Sequence, residues 1–230
     1  MWVYLLKFSG CLLVLLLFYK VALEKVTIHH FKRYYLLAAF IIALGIPFVT
    51  FTQYVTTASP PIAHSFVAST IIPPQTTPME RNNFLSLLLW GIYGLGVVAF
   101  SIKFLINLKK IISSIRNNPT HRAGKLLHVL LQEEVTPHTF FNFLFFNLRN
   151  YKSNKIPQEI FWHEEAHAQQ KHSLDILVLE LLQIVFWFHP IIYWAKHLVK
   201  LNHEFLADQA VLHKGAIIPS YQNLVLAYSS

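Results

Sequence analysis

The stretch FLSLLLWGIYGLGVVAFSI, residues 84–102, decides the architecture of this chain. It carries no charge, and as a helix it is long enough to cross the roughly 30 Å hydrocarbon layer of a bilayer, which takes about 17–25 residues. Working toward the N-terminus, YYLLAAFIIALGIPFVTF at 34–51 is a second uncharged run of spanning length. WVYLLKFSGCLLVLLLFY at 2–19 is a third, and its Lys7 lies close enough to the end to snorkel to the headgroups. A cleaved signal peptide is the rival reading of 2–19, but the run lacks the small-residue cleavage site such a segment needs.

Composition agrees with spans. The 230 residues are 54% hydrophobic and 13% charged, with a mean hydropathy of +0.43, whereas soluble domains run about 45–50% apolar and about 25% charged. Intrinsic disorder is excluded, and an ordinary soluble domain does not fit these numbers. The single cysteine, Cys11, permits no internal disulfide. The net charge of +8 is unevenly placed: Lys20, Lys25, Lys32 and Arg33 lie between the first two spans, only Arg81 lies in the Thr/Ser/Pro-rich stretch 52–83, and Lys103, Lys109, Lys110, Arg116 and further basic residues follow the third. Short cytoplasmic loops collect Lys and Arg. The expected topology is therefore a multi-pass protein of the cytoplasmic (inner) membrane, with the N-terminus and 52–83 extracytoplasmic and the C-terminal segment cytoplasmic. Topology accounts for the basic residues, so direct nucleic-acid binding is not expected. Neither a Gly-rich phosphate loop nor a GxSxG elbow occurs.

After the third span, KFLINLKKIISSIRNN continues as an amphipathic helix that NNPT ends. LLHVLL (126–131) and TFFNFLFFN (139–147) read as two strands joined by a Pro-containing turn, with the Phe cluster packing on the membrane surface or the next helix. Pro157 then opens a helix reading PQEIFWHEEAHAQQKH. Within it, His163, Glu164 and His167 form HExxH. The four-residue step puts both imidazoles on one helix face, as two ligands of one zinc require. Glu164 sits beside the open coordination position, where it can take a proton from an activated water and pass it to a leaving amine. A catalytic zinc needs a third protein ligand, and NHEFLADQAV offers Glu204. Asp208, four residues on, shares that face and can accept a hydrogen bond from a ligating imidazole. Asp175 falls within about 80° of His167 if one ideal helix continues, and could orient a ligand too. On the same assumption His172 points away from His163, and His172, His189 and His203 read as surface or capping residues.

HEEAHAQQKHSLD at 163–175, FWFHPIIYWA at 186–195 and NHEFLAD at 202–208, preceded by three spans, resemble the BlaR/MecR-type family of membrane zinc metallopeptidases, which belong with the gluzincins. The resemblance implies a Zn2+ held by His163, His167 and Glu204, with Glu164 as general base and acid. It implies cleavage of a regulatory protein, such as a transcriptional repressor, in transmembrane signalling. The partners expected are that protein substrate and membrane lipid, with the oligomeric state open and a homodimer among its options. Sensor members add a further span and an extracytoplasmic sensor domain, for which the 22 residues after Asp208 do not suffice, which leaves antibiotic sensing open and three readings of the chain: a fragment, a minimal peptidase, or a subunit whose sensor is encoded elsewhere. Two alternatives stand beside this reading: a non-proteolytic signalling or scaffold protein, and a CAAX-like or housekeeping membrane protease. The expected architecture is a mainly α polytopic membrane protein, with a transmembrane region at 1–107 and a small α+β gluzincin-like zinc peptidase domain at 108–230.

One expectation concerns 174–198, apolar enough to pass for a fourth span. His167 and Glu204 must reach one zinc, so the chain between them crosses the membrane an even number of times. Two crossings need about 40 residues, and 36 are present. The segment is therefore expected not to cross, but to form a helix, a bend at His189-Pro190 and a second helix that brings Glu204 back.

Overall fold

A computed structural model describes residues 2–49 and 84–229; the expected extracytoplasmic loop 52–83 lies outside the described residues. Helix α1 covers Trp2–Phe18 and runs into a π-helical turn at Tyr19–Leu23. Helix α2 covers His29–Gly45, five residues earlier than the uncharged run alone suggests, and tightens into a 3-10 turn at Ile46–Phe48. Helix α3 covers Phe84–Asn117 and passes the expected boundary at 107/108 without a break, ending where Asn118 and Pro119 withhold further turns. These three helices are long and apolar enough to cross a membrane. Much of their apolar surface faces outward, and none of α3 is buried, as expected of side chains that meet lipid.

A four-stranded sheet follows: β1 Thr120–Ala123, β2 Leu126–Leu131, β3 His138–Phe140 and β4 Phe143–Asn147, in the order β1-β2-β4-β3. The expectation of two strands joined by a turn needs correcting. Residues 126–131 and 143–147 are parallel neighbours, while 138–147 folds on itself as an antiparallel hairpin. The reason lies in two left-handed residues. Gly124, at φ 63°, closes the two-residue turn that adds β1. Phe141, at φ 52°, makes the β3–β4 turn, and its amide donates to Ser173 Oγ at 2.8 Å. The central strands are largely buried, which is why they read as mostly apolar runs, with His128 and Asn147 as buried polar exceptions, rather than alternating ones.

Asn147 caps the short helix α4 (Leu148–Lys152), its side chain accepting from the Asn150 amide at 3.0 Å. Helix α5 covers Gln158–Gln169 behind Pro157. Phe146 packs on Phe161 of α5 with ring centroids 4.7 Å apart, so the Phe cluster serves the next helix.

The single helix expected to run past 172 does not form: Lys171 adopts the left-handed conformation (φ 54°, ψ 39°), and a new helix, α6 (His172–Val185), starts in another direction. A non-glycine residue holds that conformation at a cost of about 1–2 kcal/mol, repaid only by packing that needs the turn. Helix α7 (Pro190–His213) begins with Pro190 in its first turn and His189 extended before it, which matches the bend expected there. Helix α8 (Ile218–Ser229) closes the described chain.

The α6–α7 hairpin is not set apart from the spanning helices. It shares one core with α1 and α2, in which Phe8, Leu12, Leu36, Leu179, Ile192 and Leu198 are buried. At its tip Phe186 stacks on Phe8 at 4.8 Å, His189 Nε2 lies 2.6 Å from Ser9 Oγ, and Trp187 lies against Gly96 of α3. Helix α6 is about 21 Å long, less than the ~30 Å core thickness.

Candidate active site

Helix α5 presents His163 and His167 one turn apart, their Nε2 atoms 3.1 Å from each other. Helix α7 crosses so that Glu204 Oε2 lies 3.3 Å from His163 Nε2 and 3.8 Å from His167 Nε2. The three donor atoms all fall within 4.8 Å of one another. A tetrahedral zinc with bonds of about 2.0–2.1 Å sets its ligand atoms about 3.3 Å apart, so the imidazole, imidazole and carboxylate donors fit that ion in both type and spacing. The trio opens on a cleft of about 680 Å³ whose wall includes β3, α6 and α8.

Glu164 lines the same cleft and is buried. Burial pushes its carboxyl above the ordinary value, opposed by a hydrogen bond from Thr139 and by the charges of His163 and His138. Thr139 Oγ1 lies 2.7 Å from Glu164 Oε2 and 3.0 Å from the Glu164 carbonyl oxygen. Strand β3 thus holds the carboxyl that HExxH supplies. No sequence signal marked Thr139, because the sheet register places it there.

Beyond the donor trio, His163 Nδ1 lies 3.2 Å from Asp208 Oδ1 and 2.9 Å from the Tyr221 hydroxyl, which itself donates to Asp208 at 2.8 Å. Burial lowers the affinity of His163 for a proton, but hydrogen bonds to Asp208 and Glu204 outweigh it and push its pKa up to about 9. Burial and the charge of His163 pull His167 down to about 4. Asp208 is thereby placed on a candidate ligand, as the ExxAD spacing suggests. Tyr221 carries no sequence signal: it lies in another helix, and nothing in its sequence surroundings distinguishes it.

Asp175 is placed differently from the expectation. It accepts from Arg33 Nε at 2.7 Å and His203 Nε2 at 2.9 Å rather than from a candidate ligand. The α5–α6 break is the physical cause, since it cancels the single-helix geometry that put Asp175 beside His167. The same break turns His172 inward: its Nδ1 lies 2.7 Å from His167 Nδ1, and both His172 and His203 are buried. Ser173 and Asp175, residue types favoured at helix starts, are the only local sign of a new helix. His189 is buried as well. Glu165 pairs with Lys214 at 2.6 Å.

Residues 149–226 match the family model of the BlaR1 peptidase M56. This segment belongs to the BlaR/MecR-type peptidases. The matched residues include His163, Glu164, His167, Glu204, Asp208 and Tyr221, so one peptidase segment contains the whole cluster. No curated protein matches the chain. Together with the apolar helices, the match supports a membrane-associated metallopeptidase of the BlaR1 type.

Proposed function

We propose that the chain is a zinc metalloendopeptidase of the cytoplasmic membrane, in which His163, His167 and Glu204 hold the metal and Glu164 moves the proton. The observation that carries this reading is the convergence of three donor atoms within 4.8 Å beside a buried carboxylate. When bound, zinc supplies the Lewis acidity that activates water and polarises a peptide carbonyl. Glu164 accepts the proton at a carboxyl oxygen and returns it to the leaving amine nitrogen. A buried carboxyl with a raised pKa suits both directions of that transfer. Thr139, by donating to Oε2, fixes which way the carboxyl faces. Asp208 and Tyr221 orient His163 from its Nδ1 side.

Strand β3 is the sheet's edge and lines the cleft. An extended substrate segment can therefore pair with it and lie along the donor trio. The substrate we propose is a regulatory protein, cleaved during transmembrane signalling, with the N-terminus outside and the cleft on the cytoplasmic side, where the basic residues gather. Glu164→Gln is the test, because it keeps size and leaves the donor trio intact while removing the proton acceptor. The purified variant should keep about one zinc per chain, and proteolysis of the physiological partner should vanish along with signalling. A pathway reporter that responds normally in the Glu164→Gln strain would refute the enzymatic reading.

A further inference from the structure

On the Nδ1 side of His167, four polar side chains link the peptidase helix to α2. His167 Nδ1 meets His172 Nδ1 at 2.7 Å. The His172 ring lies flat on His203, with centroids 4.0 Å apart and planes within 6°. His203 Nε2 reaches Asp175 Oδ2 at 2.9 Å, and the same oxygen accepts from Arg33 Nε at 2.7 Å. His172, His203 and Asp175 are all buried. Arg33 lies 142 residues away in sequence from its partner, at the end of α2 that leads into the first basic loop.

The hydrogen bonds fix where the protons sit. Two ring nitrogens 2.7 Å apart share one proton, so one donates and one accepts. His172 Nε2 lies 3.2 Å from Gln170 Oε1, an acceptor, and therefore carries hydrogen. A neutral imidazole has one N–H, so His172 Nδ1 is bare and accepts from His167 Nδ1. His167 Nε2 then presents its lone pair toward His163 and Glu204. The outer partner of a ligating imidazole sets its tautomer and ring orientation in this way. His172 in turn is kept in its plane by His203, which Asp175 holds and Arg33 anchors while neutralising the buried carboxylate.

We propose that His172 is a positioning residue for His167, and that Arg33 of α2, acting through Asp175 and His203, braces His172. This rests on the metal-site reading above. Its consequence is that the seating of one metal donor depends on where a membrane-spanning helix stands.

The experiment uses the full chain in detergent, with cobalt(II) as probe. Chelator competition gives its affinity, and its visible absorption reports ligand geometry. His172→Phe keeps a ring against His203 but removes the acceptor, and should weaken cobalt binding about 10- to 100-fold. His172→Asn, which returns an acceptor oxygen near the position of Nδ1, should recover most of the loss. Arg33→Met should weaken binding less and shift the absorption bands in the same sense as His172→Phe. Histidine 15N spectra of the metal-free protein should show His167 protonated at Nδ1 in the parent chain and as mixed tautomers in His172→Phe. An unchanged cobalt affinity and tautomer in His172→Phe overturn the positioning role. Unchanged affinity and bands in Arg33→Met overturn the brace. If the parent chain binds neither cobalt nor zinc, the metal reading fails, while the tautomer comparison still decides what His172 does to His167.

Discussion

Replacing Gly96 by Ala tests how the α6–α7 hairpin is seated. A Cβ at that position would lie 2.1 Å from Trp187 Cε2 and 2.4 Å from both Cζ2 and Nε1. Ordinary carbon contacts lie near 3.5–4.0 Å, so the indole must retreat by about 1.5 Å. That movement strains the bond from Trp187 Nε1 to the Tyr93 carbonyl, already 3.3 Å, and the stacking of Trp187 on Phe100 at 6.1 Å. Overpacking of this kind costs about 1–3 kcal/mol, and a lost hydrogen bond adds about 1. Gly94 on the same helix supplies the control, since a Cβ there meets nothing within 4 Å. Both substitutions carry the same gain in helix propensity, so their difference isolates the contact and should be about 2–4 kcal/mol. At roughly 2–4 °C per kcal/mol for a chain of this size, Gly96→Ala should unfold about 4–16 °C below Gly94→Ala in detergent. Trp187→Ala should erase the difference, because the two side chains are then uncoupled. If Gly96→Ala unfolds alongside Gly94→Ala, or the Trp187→Ala background leaves the gap intact, the hairpin does not dock on α3 in this way.

Thr139→Val removes a hydrogen bond that holds Glu164 down, so the Glu164 pKa rises further. A base that must be deprotonated then fails at higher pH, and the acid limb of the kcat/KM profile should move upward; an unmoved limb would exclude Thr139 from that role. Asp208→Asn should weaken zinc about 10- to 100-fold, and Tyr221→Phe less, because Asp208 keeps its contact with His163 when the phenol is gone; dialysis followed by metal analysis ranks them. Single cysteines at Lys171 and Lys214, in a Cys11→Ser background, should both be protected from a membrane-impermeant thiol reagent in intact cells and labelled after lysis. Labelling of Lys214→Cys alone from outside would show a true crossing between them.

The candidate site residues are legible in the sequence because their spacing is local. HExxH needs only one helix turn to put two imidazoles on a face, and the step from Glu204 to Asp208 repeats that geometry on α7. The apolar helices are legible for a similar reason, since a soluble fold rarely keeps uncharged, apolar sequence going over the full thickness of a bilayer. Counting residues weighs against two crossings between His167 and Glu204, and Pro190 marks the bend.

Tertiary structure alone decided the rest. A left-handed Lys171 is invisible in the polar run QQKHS, because packing rather than residue type selects that conformation. It nonetheless moves His172 and Asp175 from expected positions to new partners. The parallel pairing of β2 with β4, and with it the placing of Thr139 on Glu164, depends on register between two mostly apolar segments whose sequences do not specify it. Arg33 counts in the sequence as one of several topogenic charges; its bond to the buried Asp175, across 142 residues of chain, ties it to the histidines behind the donor trio. The sequence by itself determined which groups are candidates for the chemistry and which helices are long and apolar enough to meet a membrane, because both follow from composition and helical period. Which groups stand behind them was left to the fold, because contacts between distant segments depend on how whole surfaces pack.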